Sequence, residues 1–424
     1  MSTLTGRAAL LRGAGLVAVG MTVMNAAAYL FAVLAARVLG PDGYSAVAAL
    51  MGVVLVANVV AMGVQATTAR HVASTGDDAD AAALLATGRR AGLALSVLAL
   101  ALSPVLAVVF HLDTWLAAAT VAVTSGALAV TGSQLGLLQG SRRWRDFALL
   151  SVAFGVGRLA VGGAALWVSA TPLAAMTGVA AGALVPVVVG HLLVRRGAGH
   201  PGRRPVSLRA LAGEVLHDTH ILLAFFVLTQ ADVFVARATL PPEQSGEYAA
   251  GLIRAKAVLF LPTFVAVVAY PVLARRGGRS HVHHAGLLLV LGIGLVTVTG
   301  VLILPELALA FVGGQAYAAV RPDLWLFALL GTVAAMVQLL VQTALARRHR
   351  QAVWWVWGAL ATVAAGVPFV SDGHGLLLLV LAVDTALLAV LVVVTWSTDP
   401  APVPDGRPGR VGGRRRAAAG PAPS

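Results

Sequence analysis

Cysteine is absent from the chain, which excludes a disulfide framework, a thiol nucleophile and a thiolate metal site. Charge is scarce as well. Only 11% of the 424 residues are Asp, Glu, Lys or Arg, against about 25% in a soluble domain. Lysine occurs once, at Lys256. What remains is apolar: 59% of residues are hydrophobic and the mean hydropathy is +0.88, the composition of an all-α polytopic membrane protein. The net charge of +13 is divided into short arginine clusters between apolar runs. That distribution reads as membrane topology and argues against a nucleic-acid partner. Nothing calls for a cofactor or a metal. His281, His283 and His284 lie in a basic loop, His217 and His220 flank Asp218 at a helix end, and Asp77, Asp78 and Asp80 form an acidic run suited to a solvated face.

Apolar stretches of about 20 residues place twelve spans, at 14–37, 45–69, 88–110, 115–139, 147–169, 172–194, 218–239, 248–273, 284–304, 322–346, 352–370 and 374–396. The first exceeds the length of a signal-peptide core and carries Asn25 and Tyr29, so it reads as a retained span. Every second connection is basic: Arg70, Arg89 and Arg90; Arg142, Arg143 and Arg145; Arg195 to Arg209; Arg275, Arg276 and Arg279; Arg347, Arg348 and Arg350. Alternate connections such as 111–114 and 371–373 carry no Arg or Lys. The positive-inside rule then predicts a multi-pass protein of the cell membrane with both termini cytoplasmic. Arg37, Arg237 and Arg321 fall at predicted outer ends, where snorkelling to the interface explains them.

The two halves resemble each other. AARVLGPDGYSAVAAL (35–50) matches VARATLPPEQSGEYAAGL (235–252), pairing Arg37 with Arg237 and Tyr44 with Tyr248, and Arg142-Arg143-Trp144-Arg145 matches Arg347-Arg348-His349-Arg350. Six spans separate the copies, so both keep one orientation and an axis along the membrane normal relates them. The expected organisation is two six-helix bundles, 1–194 and 214–396, a cytoplasmic linker at 195–213, and a disordered basic tail at 397–424. Arginines of that tail can touch anionic membrane lipids.

Certain of these residues also carry a family likeness. A first span ending Ala36-Arg37, then Leu39-Gly40-Pro41 and Gly43-Tyr44, a seventh span with Asp232, and the stretches Gly246 to Ala250 and Pro271 to Arg275 resemble the polysaccharide-biosynthesis flippases of the multidrug/oligosaccharidyl-lipid/polysaccharide exporter superfamily. The resemblance implies two bundles around a central cavity lined by spans 1, 2, 7 and 8. It further implies movement of a polyprenyl-diphosphate-linked glycan to the outer face by alternating access, with glycan-assembly enzymes as partners. Spans 1 and 2 depart from a cationic lining and offer the neutral Asn25, Tyr29, Asn58 and Gln65.

Charge deep in a span is a functional candidate by default, since it costs about 2.5–3.5 kcal/mol on insertion scales. Asp232 and Arg254 lie eight residues, roughly 12 Å, from the outer ends of adjacent antiparallel spans, and an ion pair between them lowers the cost of both. Lys256 points elsewhere, about 200° around the helix from Arg254, which leaves it free for a diphosphate. Arg158 lies near mid-membrane and is a second candidate. Asp384 in span 12 either pairs with Arg158 or binds a coupling cation. Asn25 with Tyr29, and Gln338 with Gln342, share helix faces and suit sugar hydroxyls or interhelical hydrogen bonds. With the charges of spans 7 and 8 set against neutral groups in spans 1 and 2, the anionic headgroup is expected nearer the second bundle.

A cation-coupled multidrug exporter of the same superfamily is the nearest alternative. A membrane-embedded glycosyltransferase or polymerase is a further one, disfavoured by short outer connections that offer few acids. If Asp232 and Arg254 pair, reversing either charge alone should destabilise the chain by about 3–5 kcal/mol. Combining Asp232→Arg with Arg254→Asp should restore most of that loss in a detergent unfolding titration.

Overall fold

The computed structural model describes residues 2–75, 80–196, 208–259, 279–310, 314–346 and 350–397, and among the described residues there is helix and no strand. The helices in chain order are α1 (Ser2–Thr75), α2 (Ala81–Val109), α3 (Trp115–Gly140), α4 (Trp144–Val168), α5 (Pro172–Arg195), α6 (Leu208–Thr239) and α7 (Pro242–Leu259). They continue as α8 (Arg279–Ile303), the short α9 (Pro305–Ala310), α10 (Leu324–Ala346), α11 (Arg350–Gly366) and α12 (Gly373–Ser397). Each expected span therefore has its helix. Residues 260–273 of the eighth span, 197–207 of the linker and the tail from 398 onward lie outside the described residues, as do Asp77 and Asp78.

Spans 1 and 2 share α1, whose helical dihedrals break at Gly40 (φ 68°, ψ −177°). Glycine reaches that left-handed φ without a Cβ clash. Pro41 restarts the helix, because a missing N–H is harmless in a first turn. The limbs before and after Gly40 are called α1a and α1b. Other starts are set by side-chain caps: Asp80 accepts from Ala83 N at 3.0 Å, Thr171 from Ala174 N at 3.2 Å and Asp372 from Gly375 N at 2.7 Å. Asp80, read above as part of a solvated face, thus has a local job. The outer connection after the ninth span carries α9 and a 3-10 helix at Gln315–Asp323.

The helices form two six-span lobes related by a pseudo-two-fold axis. In the first, α3 is the central, most buried helix, while α2 turns Leu93, Val97, Leu98 and Val105 outward as a lipid-facing helix should. In the second, α10 takes the central place, packed on α7, α8 and α12. Both central helices are the fourth span of their half. The lobes meet where α1 packs on α6 and α7.

Close helix contact in the first lobe rests on missing side chains. Gly132, Gly136 and Gly140 stand four apart on α3, and a Cβ on each would run into the backbone oxygens of Ala61, Gln65 and Ala69, also four apart on α1b. Two parallel helices are thereby brought to backbone contact, where dispersion rather than water expulsion stabilises them. Gly132→Val should cost at least about 1–3 kcal/mol through overpacking; a lowered midpoint in a denaturing-detergent titration checks it.

Candidate functional site

A cavity of about 240 Å³ opens in the first lobe between α1a, α1b and α4. Its polar lining is Asn25 and Tyr29 from α1a, Tyr44 and Asn58 from α1b, and Arg158 from α4. Met24, Met51 and Phe154 make much of the rest, and Ile253 of α7 closes it toward the second lobe. The Arg158 guanidinium carbon sits 5.4 Å from the centroid of the Phe154 ring. A ring face attracts a cation without neutralising it, so Arg158 is held in place while its donors stay available. Among the described residues no carboxylate forms an ion pair with Arg158. Its described residues combine one positive charge, two amides and two phenols on a mostly apolar wall, a composition suited to an amphiphilic anion.

The other expected residues fall elsewhere. Gln65 faces α3 and donates to Gln139 Oε1 at 3.0 Å. Asp232 is buried on α6, accepting from Val233 N at 2.7 Å and facing the Tyr248 hydroxyl at 3.5 Å. Asp384 comes from α12 into electrostatic range of both Asp232 and Tyr248. It is buried, and among the described residues its Oδ1 has no hydrogen-bond partner. Arg158 is thus in one lobe and Asp384 in the other, with no ion pair between them. Arg254 and Lys256 belong to α7, but their side chains, like that of Gln342, lie outside the described residues.

The repeat explains why the two lobes differ. Position 232 in α6 corresponds to position 32 in α1a, since Arg237 and Arg37 are 237 − 37 = 200 apart. Residue 32 is an alanine, and Ala32 lines the first-lobe cavity. Tyr44 faces that opening, whereas its counterpart Tyr248 faces the Asp232 carboxylate. Among the described residues, equivalent positions therefore build a cavity without an acid in one lobe and bring two carboxylates, Asp232 and Asp384, near each other in the other. Sequence reasoning passed over Phe154 and Met51, which show no signal among so many apolar residues. Tyr44 and Tyr248 were visible, as the repeated tyrosine.

Comparison with known proteins follows the same lines. The family model described as "Polysaccharide biosynthesis protein" matches residues 10–276. A search of curated proteins finds no match. Among solved structures the chain is similar to an inward-facing multidrug resistance MATE family transporter of the MOP superfamily, with TM-score 0.68 and 11% identity over 90% of this chain and 100% of that one. It is also similar to a MATE transporter in complex with MaL6, with TM-score 0.67 and 12% identity over 91% and 96%. A third similar structure is a MOP superfamily transporter from Pyrococcus furiosus, described by a reverse polarity of its binding pocket that suggests a different function. There the TM-score is 0.63, with 13% identity over 92% and 95% of the two chains.

Because the chain has no native cysteine, single cysteines report cavity access cleanly. Asn58→Cys should react with a small polar thiol reagent, while Thr332→Cys, buried in the second lobe, should stay unmodified under the same conditions, as read by mass shift.

Proposed function

Since the chain belongs to the polysaccharide biosynthesis protein family and has the fold of MOP-superfamily membrane transporters, we propose that it flips a polyprenyl-diphosphate-linked glycan precursor across the cell membrane by alternating access of its two lobes. Both termini face the cytoplasm in this reading, where glycan-assembly enzymes supply the substrate and anionic lipids meet the basic tail. The family and the similar structures are transporters rather than enzymes. The single observation that carries the substrate class is the polarity of the cavity: its one ionised group among the described residues is a cation, Arg158, clasped by an aromatic ring. A diphosphate is a compact anion that a guanidinium binds with paired, charge-assisted hydrogen bonds. Asn25, Asn58, Tyr29 and Tyr44 then offer donors and acceptors to sugar hydroxyls, and the apolar wall tolerates the first isoprene units. Lys256 and Arg254 remain candidates for the same path, whereas Gln65 is engaged with Gln139 outside the cavity.

A cavity whose described lining holds no acid suits a cationic drug poorly, so the multidrug alternative is the weaker of the two transporter readings. One feature does favour coupling to a cation. Asp384, with an unpartnered and buried carboxylate oxygen beside Asp232 and Tyr248, is a place where a proton or a small cation would be held away from the glycan.

The test is reconstitution in vesicles with a fluorescent polyprenyl-diphosphate oligosaccharide. Transbilayer movement is expected from the wild type, and its absence with every such lipid would remove the proposal. Arg158→Ala should weaken substrate binding roughly 10- to 100-fold, the loss of a charged hydrogen-bonding partner worth about 1.5–3 kcal/mol, and Arg158→Lys should recover part of it. Asp384→Asn should abolish the dependence of the rate on an imposed proton or sodium gradient while leaving the thermal midpoint in place.

A further inference from the structure

At the end of the molecule that carries Pro41, two arginines cross from lobe to lobe. Arg37, at the end of α1a, donates through Nη2 to the backbone carbonyl of Ala310, the last residue of α9 in the second lobe, at 2.6 Å. Arg237, near the end of α6, donates through Nε to the carbonyl of Phe110 at 2.8 Å and through Nη2 to that of His111 at 3.1 Å, both at the end of α2 in the first lobe. The arginines are repeat-related, 237 − 37 = 200 residues apart, and each reaches from its own lobe to a helix-end carbonyl of the other. The acceptors differ: Phe110 ends the third span, whereas Ala310 ends the short α9 that follows the ninth.

The carbonyls are suitable acceptors because they end a helix. The last carbonyls of an α-helix have no partner within it, and they carry the negative end of the helix dipole, where a guanidinium is favoured. At α2 the backbone turns away through His111, a non-glycine residue with φ 47°, which leaves the Phe110 and His111 oxygens facing Arg237.

We infer that Arg37 and Arg237 are a two-fold-related pair of latches that hold the lobes together at this end and must release for the cavity to open there. This rests on the alternating-access reading above. The two latches are unequal. Arg237 is buried, and its Nη1 also donates to the Asp42 carboxylate at 3.1 Å and to the Ser45 hydroxyl, so all its partners lie on the first lobe. Phe110 stacks on Phe234 beside it, ring centroids 5.6 Å apart. Arg37 is exposed and holds a single carbonyl. Arg237 is the main bolt and Arg37 the secondary one. An arginine that merely snorkelled would aim at the membrane interface; Arg237 instead has its acceptors inside the lobe junction.

Spin-label distance measurements on the ligand-free full chain in vesicles test this, using one label pair across the latch, Asp113→Cys with Glu243→Cys, and a second at the opposite end, Arg145→Cys with Val393→Cys. Arg237→Gln should raise the ratio of long to short distances across the latch roughly tenfold, the size expected for lost charged hydrogen bonds, and shorten the distance at the opposite end. Arg37→Gln should move both pairs in the same directions by less, and the double variant by more. Because Arg37 is exposed, its replacement leaves a folded chain even if Arg237→Gln does not fold. Unchanged distances in Arg37→Gln and in any folded Arg237→Gln protein would overturn the inference, as would lengthening at the latch with no change at the opposite end. No substrate enters the measurement, so a chain that moves no glycan lipid can still show the latch, and one that moves it with unaltered distances lacks the latch alone.

Discussion

Hydrocarbon offers a polar group no hydrogen-bond partner, so each one carried into the membrane must be met from within the chain. In this molecule the groups that most need meeting are those where the two lobes touch. Arg237 is the clearest instance, a buried guanidinium whose described partners all come from the opposite lobe. A hydrogen bond to a charged group is worth about 1.5–3 kcal/mol, and several converge on this one side chain. Apolar side chains pack across the junction as well, in one buried cluster that runs from Phe31 and Val47 to Phe225 and Ile253, but in lipid such burial drives association only weakly. The few directional bonds add strength when made, and they can be exchanged for water when the end opens. Tyr317 extends the pattern: it is fully buried, and its hydroxyl donates to the Ala36 carbonyl across the same junction at 2.9 Å.

Within a lobe the logic is opposite. The glycines of α3 against α1b exchange side chains for proximity, and a surface built of backbone contact has no soft element to yield. Rigid lobes joined by a polar hinge region are what a rocking motion requires. The two lobes also divide the chemistry. With Ala32 and Asp232 at equivalent places, one lobe presents an arginine in a cavity whose described lining holds no acid, and the other brings two carboxylates into proximity. Load and driving ion would then occupy separate lobes, and coupling between them would pass through the junction they share.

Much of the fold was legible in advance because its signals are long and redundant. Twenty-residue apolar runs and alternating arginine clusters need no knowledge of contacts, and the helices follow them. The misjudged details are local. Gly40 and Pro41 marked a boundary, but a glycine at φ 68° lets the helix resume in nearly continuous trace, and the stretch after Pro305 has too few periodic residues to announce α9. Site residues were harder. Asn25, Tyr29 and Arg158 were found because they are polar in apolar surroundings, yet the same rule selected Gln65, which serves packing between α1b and α3. Arg237 was noticed and given the wrong reason. Its position near a span end was visible, but the carbonyls that hold it come from residues more than a hundred positions away, a relation that no local pattern contains.

Gly246 carries one last consequence. A Cβ at this position would overlap the Pro41 carbonyl, so the lobes meet there main chain to main chain. No file of water can thread such a contact. A membrane potential of about 100 mV drives each unit charge with roughly 2.3 kcal/mol, and a carrier large enough for a sugar chain would short-circuit that potential through any gap left at its closed end. In a carrier of the proposed kind, a missing methyl group at this contact would serve an electrical as well as a steric end, helping to hold the membrane voltage while cargo is bound on the other side.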